Sequence, residues 1–209
     1  HATVSWLLPH AHPLIKVTIV PRGQSLGAAW YLPEERSITT TEQILDEMCA
    51  TMGGRAAEKI MFNKISTGAL SDLEKVTKQA YAMVSMYGLN EKLGNISYYD
   101  SRGQETFTKP YSEATARIID EEASKTIEEQ YQRALQILSD NKENLMKLAD
   151  KLLTSEVLFK EDLEEIFGKR PFDKESTELL AEDAYKETIV NQPVSEVEHP
   201  KPENKDLEN

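Results

Sequence analysis

Asn63-Lys64-Ile65-Ser66-Thr67-Gly68-Ala69-Leu70-Ser71-Asp72-Leu73-Glu74-Lys75-Val76-Thr77 reads as a loop running into a helix. Ser66, Thr67 and Gly68 interrupt the apolar pattern before them. Ser71 and Asp72 supply the short polar side chains that a helix start favours. Leu73, Val76, Ala80, Val84 and Tyr87 then recur at helical spacing and predict the buried stripe. Asp72 falls in the first turn, where a negative charge suits the helix dipole. Spacing alone makes it a capping group; a ligand role needs partners from elsewhere in the chain.

One such partner stands at the start. His1-Ala2-Thr3-Val4-Ser5-Trp6-Leu7-Leu8 has helical character but no capping residue before it, so it reads as the second half of a helix. By itself His1 is an ordinary terminal residue. The words Ser66-Thr67-Gly68-Ala69 and Asp72-Leu73 change this, because together they resemble the second metal-binding motif of the FtsH-type AAA membrane proteases, which are ATP-dependent zinc metallopeptidases of family M41. The resemblance implies that Asp72 is the third zinc ligand. The other two would be the histidines of a His-Glu-x-x-His helix, whose last two positions, His-Ala in this family, match His1 and Ala2. Histidines four apart share a helix face and can share a metal. The resemblance therefore places the first histidine and the general-base glutamate immediately upstream of His1. Of the metal ligands, His1 and Asp72 are expected within these residues, and no catalytic residue is. The isolated chain is expected to be a poor or dead peptidase, since two ligands rarely hold zinc tightly and the base is missing.

Composition sets outer bounds. The chain has 209 residues, 39% of them apolar, and a net charge of -12; mean hydropathy is -0.53. No basic patch is evident, which argues against nucleic acid. The single Cys49 has no internal partner for a disulfide and fits a reducing compartment. No run reaches the roughly 18 apolar residues of a membrane helix.

Leu14 to Val20 and Leu26 to Leu32 read as two strands joined by a turn at Pro21-Arg22-Gly23-Gln24. Lys16-Val17-Thr18-Ile19-Val20-Pro21-Arg22-Gly23 and Leu26-Gly27 again resemble the family, which places the second strand beside its cleft. Leu26, Gly27, Ala28 and Ala29 are the candidate substrate edge, with small residues that permit close backbone approach; a packed hairpin without a ligand fits equally. His10-Ala11-His12 before Pro13 is a possible metal pair but is expected to be exposed and idle. Thr39 with Glu42 reads as a capping box. The helix after it carries Ile44, Leu45, Met48, Cys49, Met52, Ala56 and Ile60 on one side, which makes Cys49 a core residue. Gly53-Gly54 inside that helix costs about 1 kcal/mol per glycine and marks close packing against another element. Gly53-Gly54-Arg55-Ala56-Ala57-Glu58 matches the family text, and Glu58 is the alternative ligand or the carboxylate orienting one; a surface carboxylate is the plainer reading.

Gly88 reads as a C-cap, Asn95 to Tyr99 as a short strand and Asp100 to Lys109 as a polar loop. A long helix is expected from Tyr111 to about Ser139, with Tyr111, Ala114, Ile118, Ile127, Tyr131, Ala134 and Leu138 buried and Asp120, Glu121, Glu122, Glu128 and Glu129 solvated. Tyr111 to Arg117 and Ile119 to Glu122 carry the family resemblance further. Two more helices follow, near Lys142–Leu153 and Lys160–Phe167. Residues 174–209 carry ten acidic and four basic residues, a net of -6 and half the charge of the chain; residues 173–209 read as an acidic, largely disordered tail.

The expected fold is mainly α: a helical metallopeptidase domain over residues 1–172 with a small β-hairpin or short sheet, then the tail. By resemblance the intact protein degrades membrane and unfolded proteins, uses Zn2+, and takes ATP and Mg2+ only through an upstream ATPase module. It forms a homo-hexamer and sits in the bacterial inner membrane on the cytoplasmic side, reaching the membrane only through upstream segments. Two other classes fit the visible residues: a non-catalytic assembly domain of a hexameric ring, and a peptide-binding module.

Overall fold

The computed structural model describes residues 1–21, 27–32, 38–98 and 110–172. The expectations placed on the turn at Arg22-Gly23-Gln24, on Leu26, on Tyr99, on the loop at 100–109 and on the tail at 173–209 lie outside these residues. Six α-helices and a three-stranded sheet account for most of the described chain: α1 (Ala2–Trp6), β1 (Leu14–Thr18), β2 (Ala28–Tyr31), α2 (Thr41–Phe62), α3 (Leu70–Ser85), α4 (Glu113–Asp140), α5 (Lys142–Ser155), β3 (Val157–Phe159) and α6 (Lys160–Phe167). The mainly helical class with a small sheet is the expected one. The strands lie in the order β2-β1-β3, both pairings antiparallel. The expected antiparallel pairing of the two strands is therefore present, and β3 is an addition: three residues after a left-handed Glu156 are too short a run to stand out as a strand in the sequence.

Helix α1 organises the packing. All five of its residues are buried. Val4 and Leu8 enter a cluster with Met48, Met52, Val76, Ala80 and Leu138, which joins α2, α3 and α4. Ala2 and Trp6 enter a second cluster with Leu14, Leu148, Leu158 and Leu163, which joins the sheet to α5 and α6. A five-residue helix has no stability of its own, so these two apolar faces hold it. Polar contacts finish the job. Trp6 Nε1 donates to the Gly168 carbonyl at 3.2 Å, and the buried Arg170 guanidinium donates to the carbonyls of Leu8 and Ala11 at 2.8 and 2.6 Å. Those carbonyls follow the end of α1, where backbone acceptors lack helical partners.

Several local expectations shift. The capping box of α2 is Thr40 with Gln43, one residue later than Thr39 with Glu42: Thr40 Oγ1 accepts from the Gln43 N–H and Gln43 Oε1 from the Thr40 N–H at 2.8 Å. Both pairs have the same spacing, and Thr40 is the last extended residue. Tyr87 is exposed, because α3 stops at Ser85 and the chain turns through Gly88 at φ +64°. Asn95 to Tyr98 form no strand; the Tyr98 N–H donates instead to the Ser85 carbonyl at 2.8 Å. In the first half of α4 the buried stripe is Ala116, Ile119 and Ala123, with Ala114 exposed. Glu122, expected on a solvated face, is buried: it pairs with Lys92 and accepts from Asn90 Nδ2 at 2.9 Å, and Lys92 above all holds its carboxyl below the usual range. A buried carboxylate needs such partners, but they come from the loop after α3, which helical periodicity does not reveal.

Asp46 of α2 is likewise buried, at 2% exposure. Arg133 of α4 lies 2.6 Å from Oδ1, and His10 reaches Oδ2 through both its backbone N–H at 3.1 Å and Nδ1 at 3.0 Å. His10 is thus not idle; it ties the end of the α1 segment to α2. Removing either partner tests which charge is harder to strand. Arg133→Ala leaves a buried carboxylate short of its cation and is expected to cost about 3 kcal/mol. Asp46→Ala frees an arginine that is 40% exposed and rehydrates, so about 1–2 kcal/mol is expected. Urea unfolding of both variants checks the order, and an Asp46→Ala loss larger than that of Arg133→Ala contradicts it.

Candidate active site

The two candidate ligands arrive from parts of the chain distant in sequence. His1 precedes α1, and Asp72 lies in the first turn of α3. Seventy residues of chain separate them, yet His1 Nε2 and Asp72 Oδ2 are 3.3 Å apart. Asp72 does not cap its own helix: the N-cap position is Ala69, and a 3-10 turn over Thr67–Ala69 leads in, capped by Ser66 Oγ accepting from the Gly68 N–H. The carboxylate is left to face His1. Both side chains are about one-third exposed, which opens the pair to a cleft.

Three features of α2 hold the imidazole in place. Its Nδ1 lies 3.1 Å from the Ala50 carbonyl, which makes it the donating nitrogen and turns Nε2 toward Asp72. Gly53 takes the backbone: a Cβ there would sit 3.1 Å from the His1 nitrogen and 3.2 Å from its Cα. Gly54 takes the ring: a Cβ there would come within 2.6 Å of Nε2. The close packing that the double glycine predicts is contact with the candidate ligand itself.

A cleft of about 330 Å³ opens over this pair, lined also by Ser5, His12, Gly27–Ala29, Tyr31, Glu47, Thr51 and Lys75. The candidate edge residues Gly27, Ala28 and Ala29 are therefore at the site, and β2 is an outer strand of the sheet. The close approach at Gly27 is made by β1: a Cβ would meet the Thr18 carbonyl at 2.7 Å. Glu58 is not brought to the cleft. Its carboxylate accepts from the Ser66 N–H at 3.1 Å and Oγ at 2.7 Å, and those bonds lower its pKa. It anchors the loop that delivers Asp72. Cys49 is fully buried, and desolvation pushes its thiol up to about 12, so it is inert core.

Sequence reasoning passed over Ser5, Tyr31, Glu47 and Lys75. Ser5 is four residues after His1 and Lys75 three after Asp72, so ligand-face spacing was the available signal. Lys75 Nζ pairs with Glu47 Oε1 at 2.7 Å across the cleft. Tyr31 accepts a hydrogen bond from Ser5 Oγ at 3.2 Å, and burial, the largest effect, raises its pKa.

The donors fit a divalent metal in type: an imidazole nitrogen with its other ring N–H given to a carbonyl, and an adjacent carboxylate oxygen. Among the described residues no third His, Cys, Asp or Glu joins them. In metal-free protein with His1 protonated, the pair is an ion pair. Burial lowers the His1 pKa, but the Asp72 hydrogen bond and charge, with the Ala50 bond, outweigh it and the net shift is upward. The pair's stabilisation is thus complete below the ordinary histidine value of about 6.5 and is lost as pH rises through the higher folded-state value. Asp72→Asn is expected to move the His1 titration, followed by NMR at the ring Cε1 proton, to lower pH. An unchanged midpoint contradicts the pairing.

Comparison with known proteins gives the same frame. Residues 1–166 match the model of Peptidase family M41. The ATP-dependent zinc metalloprotease FtsH of Parabacteroides distasonis is 65% identical over 181 residues, 86% of this chain and 26% of that protein. That of Karelsulcia muelleri is 58% identical over 168 residues, 79% and 27%. The mouse mitochondrial inner membrane m-AAA protease component AFG3L2 is 49% identical over 178 residues, 85% and 22%. The chain thus spans about a quarter of the length of the curated relatives it matches, and no described helix is long and apolar enough to cross a membrane. With the family model matched over residues 1–166, the chain belongs to peptidase family M41.

Proposed function

We propose that this chain is the proteolytic part of an ATP-dependent zinc endopeptidase that degrades unfolded and membrane proteins. The observation that carries the reading is the His1–Asp72 pair, two metal-type donors 3.3 Å apart at the floor of a cleft beside an outer β-strand. His1 Nε2 and Asp72 Oδ2 would hold Zn2+, with a further histidine and the general-base glutamate supplied by the longer protein. When bound, zinc polarises the scissile carbonyl and activates water.

The chain's own residues do the rest. The Ala50 carbonyl keeps the His1 proton on Nδ1, so that Nε2 presents its lone pair. Gly54 leaves room for the ring. Ala28 and Ala29 offer a strand edge on which an extended substrate pairs by backbone hydrogen bonds, a mode indifferent to sequence. A recess of about 280 Å³ next to His1, lined by Val17, Leu145, Leu148 and Leu152 among others, suits a non-polar substrate side chain. The names of the relatives support ATP-driven action and an inner-membrane setting. On this reading the whole protein is a membrane-anchored homo-hexamer on the cytoplasmic side of a bacterial inner membrane, and ATP and Mg2+ act in its ATPase module. A ring encloses the cut sites, so that substrate reaches them only when threaded.

Two substitutions in the full-length protein separate site from scaffold. Asp72→Ala is expected to remove stoichiometric zinc and to lower cleavage of an unfolded protein at least a hundredfold, with ATP hydrolysis kept. Gly54→Ala places a methyl against the end of the His1 ring, and alanine adds about 1 kcal/mol of helix propensity. Its melting temperature should therefore hold or rise while zinc affinity falls tenfold or more. Full zinc occupancy and activity in either variant contradict the proposed site.

A further inference from the structure

The cleft holds three hydroxyl side chains, and two of them have spent their protons. Thr51 Oγ1 donates to the Glu47 carbonyl at 2.8 Å. Ser5 Oγ donates to the Tyr31 oxygen at 3.2 Å. Lys75 lends one of its three N–H groups to Glu47, and His1 Nδ1 faces the Ala50 carbonyl. His12 Nδ1 is sealed from solvent and has no hydrogen-bond partner among the described residues. Tyr31 receives a bond, and its own O–H has no acceptor among the described residues.

Its position is fixed from two sides. The backbone belongs to β2, in register with Leu14 of β1. The phenol oxygen is tied to Ser5, which lies four residues, or roughly 6 Å along the axis, from His1. Accepting a bond from Ser5 also polarises the phenol and makes it a better donor. A pre-aimed hydroxyl beside the electrophilic centre is what a developing oxyanion needs.

The geometry points to Tyr31 as a catalytic residue that donates its O–H to the oxyanion of the tetrahedral intermediate, with Ser5 as its positioning residue. This rests on the peptidase reading above. In the step, the water oxygen bonds to the carbonyl carbon and the C=O π pair moves to the carbonyl oxygen. Tyr31 hydrogen-bonds that oxygen and keeps its proton. When the pair returns, the C–N bond breaks, and the water proton ends on the departing amine by way of the general base. The phenol is suited to this role because it stays protonated through neutral pH, and because the bond tightens only as charge develops.

The test uses the full-length protein with ATP and a short unfolded peptide, so that unfolding does not limit the rate. Tyr31→Phe preserves the ring and removes only the donor. It is expected to lower kcat on the order of a hundredfold, with KM within twofold and zinc content and melting temperature unchanged. Binding of a phosphinic peptide, which mimics the tetrahedral anion, should weaken by a similar factor. Unchanged kcat and inhibitor affinity in a zinc-loaded variant overturn the assignment. So does an effect confined to KM, which marks a substrate anchor, or loss of zinc, which marks a structural role. A wild-type protein that holds no zinc with His1 and Asp72 intact overturns the peptidase reading and this inference with it.

Discussion

The packing of α1 between two apolar clusters is the constraint on which the rest depends. A helix this short does not persist alone. It is held by Met48 and Met52 on one side and by Leu158 and Leu163 on the other. Arg170 and Gly168, more than 160 positions away, close on its carbonyl end and on Trp6. The C-terminal helices are therefore part of the site's scaffold, because they hold the segment that begins with His1. A cavity at Trp6 would reach the candidate metal donor through α1 without touching it.

The second constraint is backbone proximity at Gly53 and Gly54. Two glycines in the middle of a helix weaken it locally by about 1 kcal/mol each. They are tolerated because the rest of α2 is well anchored, from the Thr40–Gln43 cap to the buried Met48 and Ala56. The same close approach lets the Ala50 carbonyl reach the imidazole and sets which nitrogen faces Asp72. Site geometry here is bought with local helix stability. Glu58 takes a matching role on the other side, where it fastens Ser66 and so aims α3.

Much of this was legible in the residues. Periodicity found α2, α3 and the second half of α4, because Met48, Val76 and Leu138 repeat at helical spacing against one core. The double glycine announced a contact, although not its partner. Resemblance was needed to join His1 to Asp72, since no local rule links residues 71 positions apart. What escaped has a common physical cause. Glu122 and Asp46 are polar groups whose burial depends on partners distant in sequence, His10 being one of them, and their polarity alone predicts exposure. The N-terminal half of α4 misled for a related reason: Glu122 occupies an inward position that a hydrophobic pattern skips. β3 and the Ser5–Tyr31 bond are tertiary events with no sequence pattern of their own.

The central claim is that His1 and Asp72 share one metal. Anomalous diffraction at the zinc edge, from crystals of the full-length protein grown with zinc, tests it most directly. The account predicts a single strong peak per protomer bonded to both His1 Nε2 and Asp72 Oδ2, with the His1–Ala50 hydrogen bond intact. A peak that touches neither residue, or a closed His1–Asp72 ion pair with zinc bound elsewhere, would contradict it.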